Sequence, residues 1–318
     1  MRSSRTALSY ALALDIDGVF LKGSKVLRGA REALAVLEEK RYPYIFVTNG
    51  GGVTELEKAQ SLTALLGIKV EESQVLMSHT PFRDKVNTFK GKRVLFLGSE
   101  RSLEIATHYG FTHPVGSRQL LAESPTAFQQ IVSSSLVDAT ADDAARKVHA
   151  AFVLGDPYEW GLDIQILTDV MLSGPGEKQK IPLFACNADI VYNNEHHSPR
   201  YTQGAFIEAF RVLYERQASV PLDVEFCGKP YGITYHHAKS MLRDQALKMG
   251  VEMPDRYVAI GDSPHSDIKG ANLQGPQWSS ILLRSGVWQG NVAVLERDPL
   301  LQPKSIKQGI LEAVRSLE

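Results

Sequence analysis

Short apolar runs alternate with longer amphipathic stretches along this chain. Strands are expected at Ala11–Leu14, Tyr44–Thr48, Val75–Met77, Arg93–Leu97, Ala151–Leu154, Leu183–Ala185, Tyr257–Ile260 and Ser280–Leu283. Helices are expected at Gly29–Lys40, Glu55–Leu66, Ser99–Tyr109, Asp163–Leu172, Gly204–Arg216, Thr234–Met249 and Ser305–Leu317. In the first of these, Ala30, Ala33, Leu34 and Leu37 recur at helical spacing while charges fill the opposite face. Regular strand–helix alternation predicts an α/β protein with parallel sheets and helical crossovers. Turn-rich stretches at Leu120–Asp143, Ser173–Lys180 and Asn193–Tyr201 read as loops.

Four apolar runs end in polar, reactive residues: Leu14-Asp15-Ile16-Asp17-Gly18, Phe46-Val47-Thr48-Asn49-Gly50, Phe226-Cys227-Gly228-Lys229-Pro230, and Ile260-Gly261-Asp262-Ser263 leading to Asp267. Parallel strands are expected to bring all four ends to one edge of a sheet, where open α/β sheets keep their ligands. Paired acids, a hydroxyl with backbone amides beside it, a lysine and two further acids form a set able to move a phosphoryl group with a metal ion. The Gly triplet after Asn49 suits a backbone that approaches a ligand closely.

Composition narrows the class. The 318 residues suffice for one large domain or two ordinary ones, and 43% are hydrophobic and 22% charged, as in a globular protein. A net charge of −1 gives no broad attraction to nucleic acid or anionic membrane, and no apolar stretch approaches the roughly 18–20 residues of a bilayer span. Cys186 and Cys227 lie outside any CxxC, which points to free thiols in a reducing compartment and away from zinc. Ala7–Leu14 behind Arg2 and Arg5 loosely mimics a signal peptide, but Asp15 follows at once, so the segment reads as a first strand. The expected location is cytoplasmic, with a mitochondrial address stub as the alternative. An EF-hand reading of Asp15–Gly18 fails because its twelfth position is Val26. The pairs His196-His197 and His236-His237 point to different faces and do not suit a shared ion.

In their order, DxDG at Asp15–Gly18, Thr48, Lys229 and GDxxxxD at Gly261–Asp267 resemble the four motifs of the haloacid dehalogenase (HAD) superfamily, in its phosphatase branch. The long insertion resembles the type IIA, NagD-like cap. Thr48–Gly52, Ser78–Phe82, Trp160–Leu167, Gln203–Phe206 and Gly228–Pro230 resemble the branch named after the cat eye syndrome critical region protein. The resemblance implies a Rossmann-like HAD core over 1–79 and 203–318 with an inserted α/β cap of type C2 over 80–202, covering the site. It implies Asp15 as nucleophile, forming an aspartyl-phosphate, and Asp17 as general acid and then base. Mg²⁺ would be held by Asp15, the carbonyl of Asp17 and Asp262. Thr48, Asn49 and Gly50 would hold the phosphate together with Lys229, and Asp267 would orient Lys229, with Ser263 in support.

The implied reaction is hydrolysis of a small organic phosphate monoester; an acid two places after the nucleophile favours protonating a poor leaving group. The alternatives are a phosphotransferase or mutase of the same superfamily, or a catalytically silent interaction protein on this scaffold. A small-molecule ester is the expected partner, and caps of this type often pair, which allows a homodimer. Tyr158, Trp160 and Asp163 fit either a cap pocket or a core. Asn187 and Asp189 resemble a cap element in which Ala188 replaces the usual Pro.

Overall fold

A computed structural model of the chain describes residues 10–124, 127, 147–172, 181–192, 196–288 and 290–317. In chain order the elements are β1 (Tyr10–Leu14), the hairpin β2 (Leu21–Lys22) and β3 (Lys25–Val26), α1 (Ala30–Glu39), β4 (Tyr44–Val47), α2 (Glu55–Leu66) and β5 (Val75–Leu76). There follow β6 (Arg93–Leu97), α3 (Ser102–Tyr109), β7 (His113–Val115), α4 (Ser117–Glu123), β8 (Ala151–Val153), α5 (Trp160–Leu172), β9 (Leu183–Ala185), β10 (Val191–Tyr192), β11 (Arg200–Tyr201), α6 (Gln203–Ala218) and β12 (Glu225–Phe226). The chain closes with α7 (Gly232–Met249), β13 (Arg256–Gly261), α8 (Lys269–Asn272), β14 (Trp278–Leu283), α9 (Val292–Glu296), β15 (Ser305–Lys307) and α10 (Ile310–Arg315). No helix among the described residues is long and apolar enough to cross a membrane.

The chain forms two compact units: Met1–Asn49 with Thr54–Ser78 and Gly228–Glu318, and Gly50–Val53 with His79–Cys227. The first unit is built on a six-stranded parallel sheet ordered β15-β14-β13-β1-β4-β5. Its central strand β1 is apolar at every position from Ala11 to Leu14 and buried there, as a strand covered on both faces must be. One face, carrying Ala11, Ala13, Ile45, Val47 and Ala259, packs against Tyr235, Ala238 and Leu242 of α7. Leu14 pairs with Phe46 on one side and with Ile260 on the other, so β1, β4 and β13 end level. Local signals fix the helices: Thr54 and Glu57 cap α2 reciprocally, at 3.3 and 2.8 Å, and Gly67 at φ 74° ends it.

The second unit has a five-stranded parallel sheet ordered β12-β9-β8-β6-β7. Leu95, Leu97, Val153 and Leu183 point to α5 and α6. The alternate positions carry a phenylalanine ladder: Phe152 stacks on Phe96 at 5.0 Å and on Phe184 at 4.6 Å, with Phe82 edge-on at 4.9 Å.

Four expectations are corrected here. The chain leaves the second unit after Cys227, not before residue 203. Phe206, Ile207, Phe210 and Tyr214 of α6 bury into the second core, and its first amide is capped at 2.8 Å by Asp156. Ser305–Leu317 is not one helix: Ser305–Lys307 extends the first sheet beside β14, and α10 begins only after Gly309. β12 pairs with β9, so the strand before Lys229 belongs to the second sheet. The loop expected at 120–143 begins as helix through Glu123; its remainder from 128, Ser173–Lys180 and the first nine residues lie outside the described residues.

Phe152→Ala removes a ring stacked between two others. It should cost about 3–5 kcal/mol, measured by chemical denaturation followed by a probe in the second unit; a loss under about 1 kcal/mol would show that the ladder is not close-packed.

Candidate active site

The level ends of β1, β4 and β13 set Asp15, Thr48 and Asp262 side by side. The amide of Asp15 donates to Ile260 O at 2.9 Å and that of Thr48 to Leu76 O at 3.0 Å, so each residue is still held by the ladder as the sheet ends. Lys229 reaches the same place from the loop ahead of α7. Its ammonium uses all three donors: Asp15 Oδ1 at 2.5 Å, Asp267 Oδ1 at 2.7 Å and Val47 O at 3.1 Å. Lys229 is 4% exposed, Asp15 7% and Asp267 3%, so the ion pairs are screened by almost no water.

Asp267 is held by the turn that presents it. Its Oδ2 accepts from Ser263 N at 3.0 Å, and Ser263 Oγ accepts from Ser266 N at 3.3 Å. The Tyr235 hydroxyl donates to Asp267 O at 3.0 Å from beneath. Asp262 is gripped by the loop after β14: Val287 N donates to its Oδ2 at 2.7 Å, and Ser285 Oγ donates to Gly18 O at 2.6 Å. Gly18 and Gly286 are required here. A Cβ at either would collide with the Asp262 carboxylate, and Gly18 also has φ 80°.

Carboxylate oxygens of Asp15, Asp262 and Asp267 lie within 4.8 Å of one another. Burial raises the Asp15 carboxyl well above its ordinary range, although Lys229 opposes this. Burial, followed by the charge of Asp267, pushes Asp262 up to about 7. Burial works against the Lys229 charge, but Asp15 and Asp267 outweigh it and hold the ammonium well above its ordinary range. Three carboxylates against one ammonium leave excess negative charge on hard oxygen donors, a set that fits a divalent cation such as Mg²⁺. Both oxygens of Asp267 are engaged by Lys229 and Ser263. Asp15 and Asp262 are therefore the carboxylates better placed to hold it.

The expected residues thus separate into groups. Asp15, Thr48, Lys229, Asp262 and Asp267 meet at the sheet edge. Asp17 is exposed, beyond Asp15, and its carboxylate is outside the buried cluster. Asn49 bonds to the backbone of Lys229 at 2.7 and 2.8 Å. Gly50 begins the second unit. Asp163 is a core group: Ser117 Oγ donates to its buried carboxylate. Trp160 packs edge-on to Phe206, and Tyr158 is exposed. Asn187 closes a local turn, accepting from Asp189 N at 2.7 Å. Ser78–Phe82 is buried in large part, with His79 Nδ1 sharing a 2.6 Å hydrogen bond with Tyr109. The sequence reading missed Ser285, Gly286, Val287 and Tyr235. The first three follow strand β14, so the strand-end argument applied to the other strands also reaches them.

Comparison with known proteins agrees with this geometry. A family model described as haloacid dehalogenase-like hydrolase matches residues 12–112, and a second, HAD-hydrolase-like model matches 226–310. A mitochondrial hydrolase of Saccharomyces cerevisiae is 31% identical, with 93% of each chain covered. A cardiolipin synthase (CMP-forming)/mitochondrial hydrolase fusion protein of Schizosaccharomyces pombe is 32% identical over 94% of this chain, which spans only 51% of the fusion protein's length. Among solved structures, a glycerol phosphate phosphatase from Mycobacterium tuberculosis in complex with magnesium shares the fold, with a TM-score of 0.67 at 20% identity, covering 98% of this chain and 76% of that one. The chain belongs to the haloacid dehalogenase-like hydrolases and is an enzyme.

The raised Asp262 carboxyl has a measurable consequence. It keeps its proton in the folded protein where the unfolded chain, near 3.8, has released it. That contribution to stability is complete below about pH 4 and is lost as pH rises through about 7. Without divalent ions, melting temperature should therefore decline more steeply between pH 4 and 7 in the wild type than in Asp262→Asn, and Mg²⁺ at pH 7 should recover the difference in the wild type alone. Parallel profiles would show that folding does not raise the Asp262 carboxyl.

Proposed function

We propose that the chain is a Mg²⁺-dependent phosphomonoesterase working through an aspartyl-phosphate on Asp15. The observation that carries this reading is the buried Lys229 ammonium held at 2.5 Å from Asp15 and 2.7 Å from Asp267, with Asp262 in the same cluster. Asp15 and Asp262, with the Asp17 carbonyl, would hold the metal, whose charge lets an anionic ester approach a carboxylate. Asp15 attacks phosphorus, the ester P–O bond breaks, and the leaving oxygen takes a proton from Asp17. Asp17 then takes a proton from water, whose oxygen attacks the aspartyl-phosphate and releases inorganic phosphate and Asp15. The two acids have environments suited to these roles: Asp15 is buried against a cation, whereas Asp17 is open to solvent. Thr48 and the amides of Asn49 and Gly50 hold the phosphate, and Lys229 neutralises it as a point charge.

The fission-yeast relative is named as a fusion of a cardiolipin synthase with a mitochondrial hydrolase. Cardiolipin is built on phosphoglycerol units, so this pairing supports a phosphoglycerol monoester, free or acylated, as the substrate class. Both yeast relatives are named as mitochondrial, which supports the mitochondrial location over the cytoplasmic one.

Phosphate release from a panel of glycerol, lipid, sugar and nucleotide phosphates should disappear with chelator and return with Mg²⁺. Asp15→Asn should lower kcat by several orders of magnitude with unchanged folding, and Asp17→Asn by about 10²–10⁴-fold. Near-wild-type turnover by Asp15→Asn would exclude the covalent route. Faster turnover of sugar or nucleotide esters would exclude the phosphoglycerol class.

A further inference from the structure

We infer that Asn49 is a positioning residue whose side-chain amide, rather than contacting substrate, fixes the backbone of Lys229 and thereby places its ammonium. Asp15 and Thr48 each continue a strand of the first sheet with their amides still bonded to the neighbouring strand, and Asp262 directly follows Gly261, which is paired with Leu282. Lys229 has no such support, because the strand before it, β12, pairs in the other sheet and Gly228 turns away from it at φ 72°. Asn49 supplies the missing neighbour. Its Oδ1 accepts from Lys229 N at 2.7 Å, and its Nδ2 donates to Lys229 O at 2.8 Å. One carboxamide thus takes both main-chain groups of one residue, as an adjacent strand would, and only a side chain carrying a donor and an acceptor together can do this.

The segment at the end of β4 therefore holds Lys229 at both ends, by Asn49 at the main chain and by Val47 O at the ammonium, 3.1 Å away. The ammonium lies between two carboxylates, where a shift of about 1 Å costs on the order of 10²-fold in rate. The two hydrogen bonds set the main chain from which that side chain reaches its partners.

The kinetic part of this inference rests on the proposed phosphatase activity, so the experiment has two arms. In the first, hydrogen exchange of the Lys229 amide is followed in the full chain. Asn49→Ala should speed it at least tenfold while the amides of β1 and β13 keep wild-type protection. Asn49→Asp, which keeps the acceptor but loses the donor, should fall between the two and serves if the alanine variant folds poorly. In the second arm, single-turnover rates on an activated aryl phosphate are measured for Asn49→Ala, Lys229→Ala and the double variant. Asn49→Ala should lower kcat about 10–100-fold with KM changed less than about threefold, and should add less than about twofold once Lys229 is gone. Unchanged exchange at Lys229, or losses that multiply in the double variant, would overturn the inference and return Asn49 to a direct phosphate contact. If the wild type hydrolyses no ester, the proposed function fails, and the exchange arm still decides the role of Asn49.

Discussion

A lysine ammonium buried between two carboxylates is the interaction on which the rest of the site depends. Water screens almost none of it, so the charges fix each other's place and protonation. Removing Lys229 would leave Asp15 and Asp267 buried, close together and uncompensated, a costly arrangement. The surrounding structure is organised to prevent this: Ser263 and Tyr235 hold Asp267, Val47 holds the ammonium, and the ladder holds Asp15. The same excess of negative charge on hard oxygen donors is what would suit the cluster to a divalent cation.

The sheet register is what makes this cluster possible. Parallel strands ending level turn residues far apart in sequence into immediate neighbours, and small residues let the loops close over them. Gly18 and Gly286 pack against Asp262 where no side chain fits. The second unit contributes its own core to the fold, with aliphatic residues on one sheet face and stacked phenylalanines on the other.

Most of the first unit was legible in the sequence because its strands are continuous apolar runs and its acids stand where those runs end. The acids also announce themselves, since burial of Asp15 and Asp262 has no packing rationale. The failures have physical causes. The strand Glu225–Phe226 is two residues long and carries no mark of which sheet it joins. Helix α6 is amphipathic in either unit, and only its partners show that it belongs to the second. The bonding of the Asn49 side chain to Lys229 is also illegible in the sequence, because pairing with a residue 180 positions away leaves no local pattern. Asp163 fits a pocket or a core by sequence, and its partner Ser117, 46 positions earlier, leaves no local sign of which.

The strand order also bears on how the molecule forms during synthesis. Tyr10 pairs with Arg256 and Leu14 with Ile260, so one side of the central strand lacks its hydrogen-bonding neighbour until the ribosome has added more than 240 further residues. At roughly 5–20 residues per second, that flank of the nascent polypeptide stays open for about ten seconds or longer. The intervening segment can collapse around its own five strands in that interval, while that flank of β1 stays unpaired and open to wrong partners.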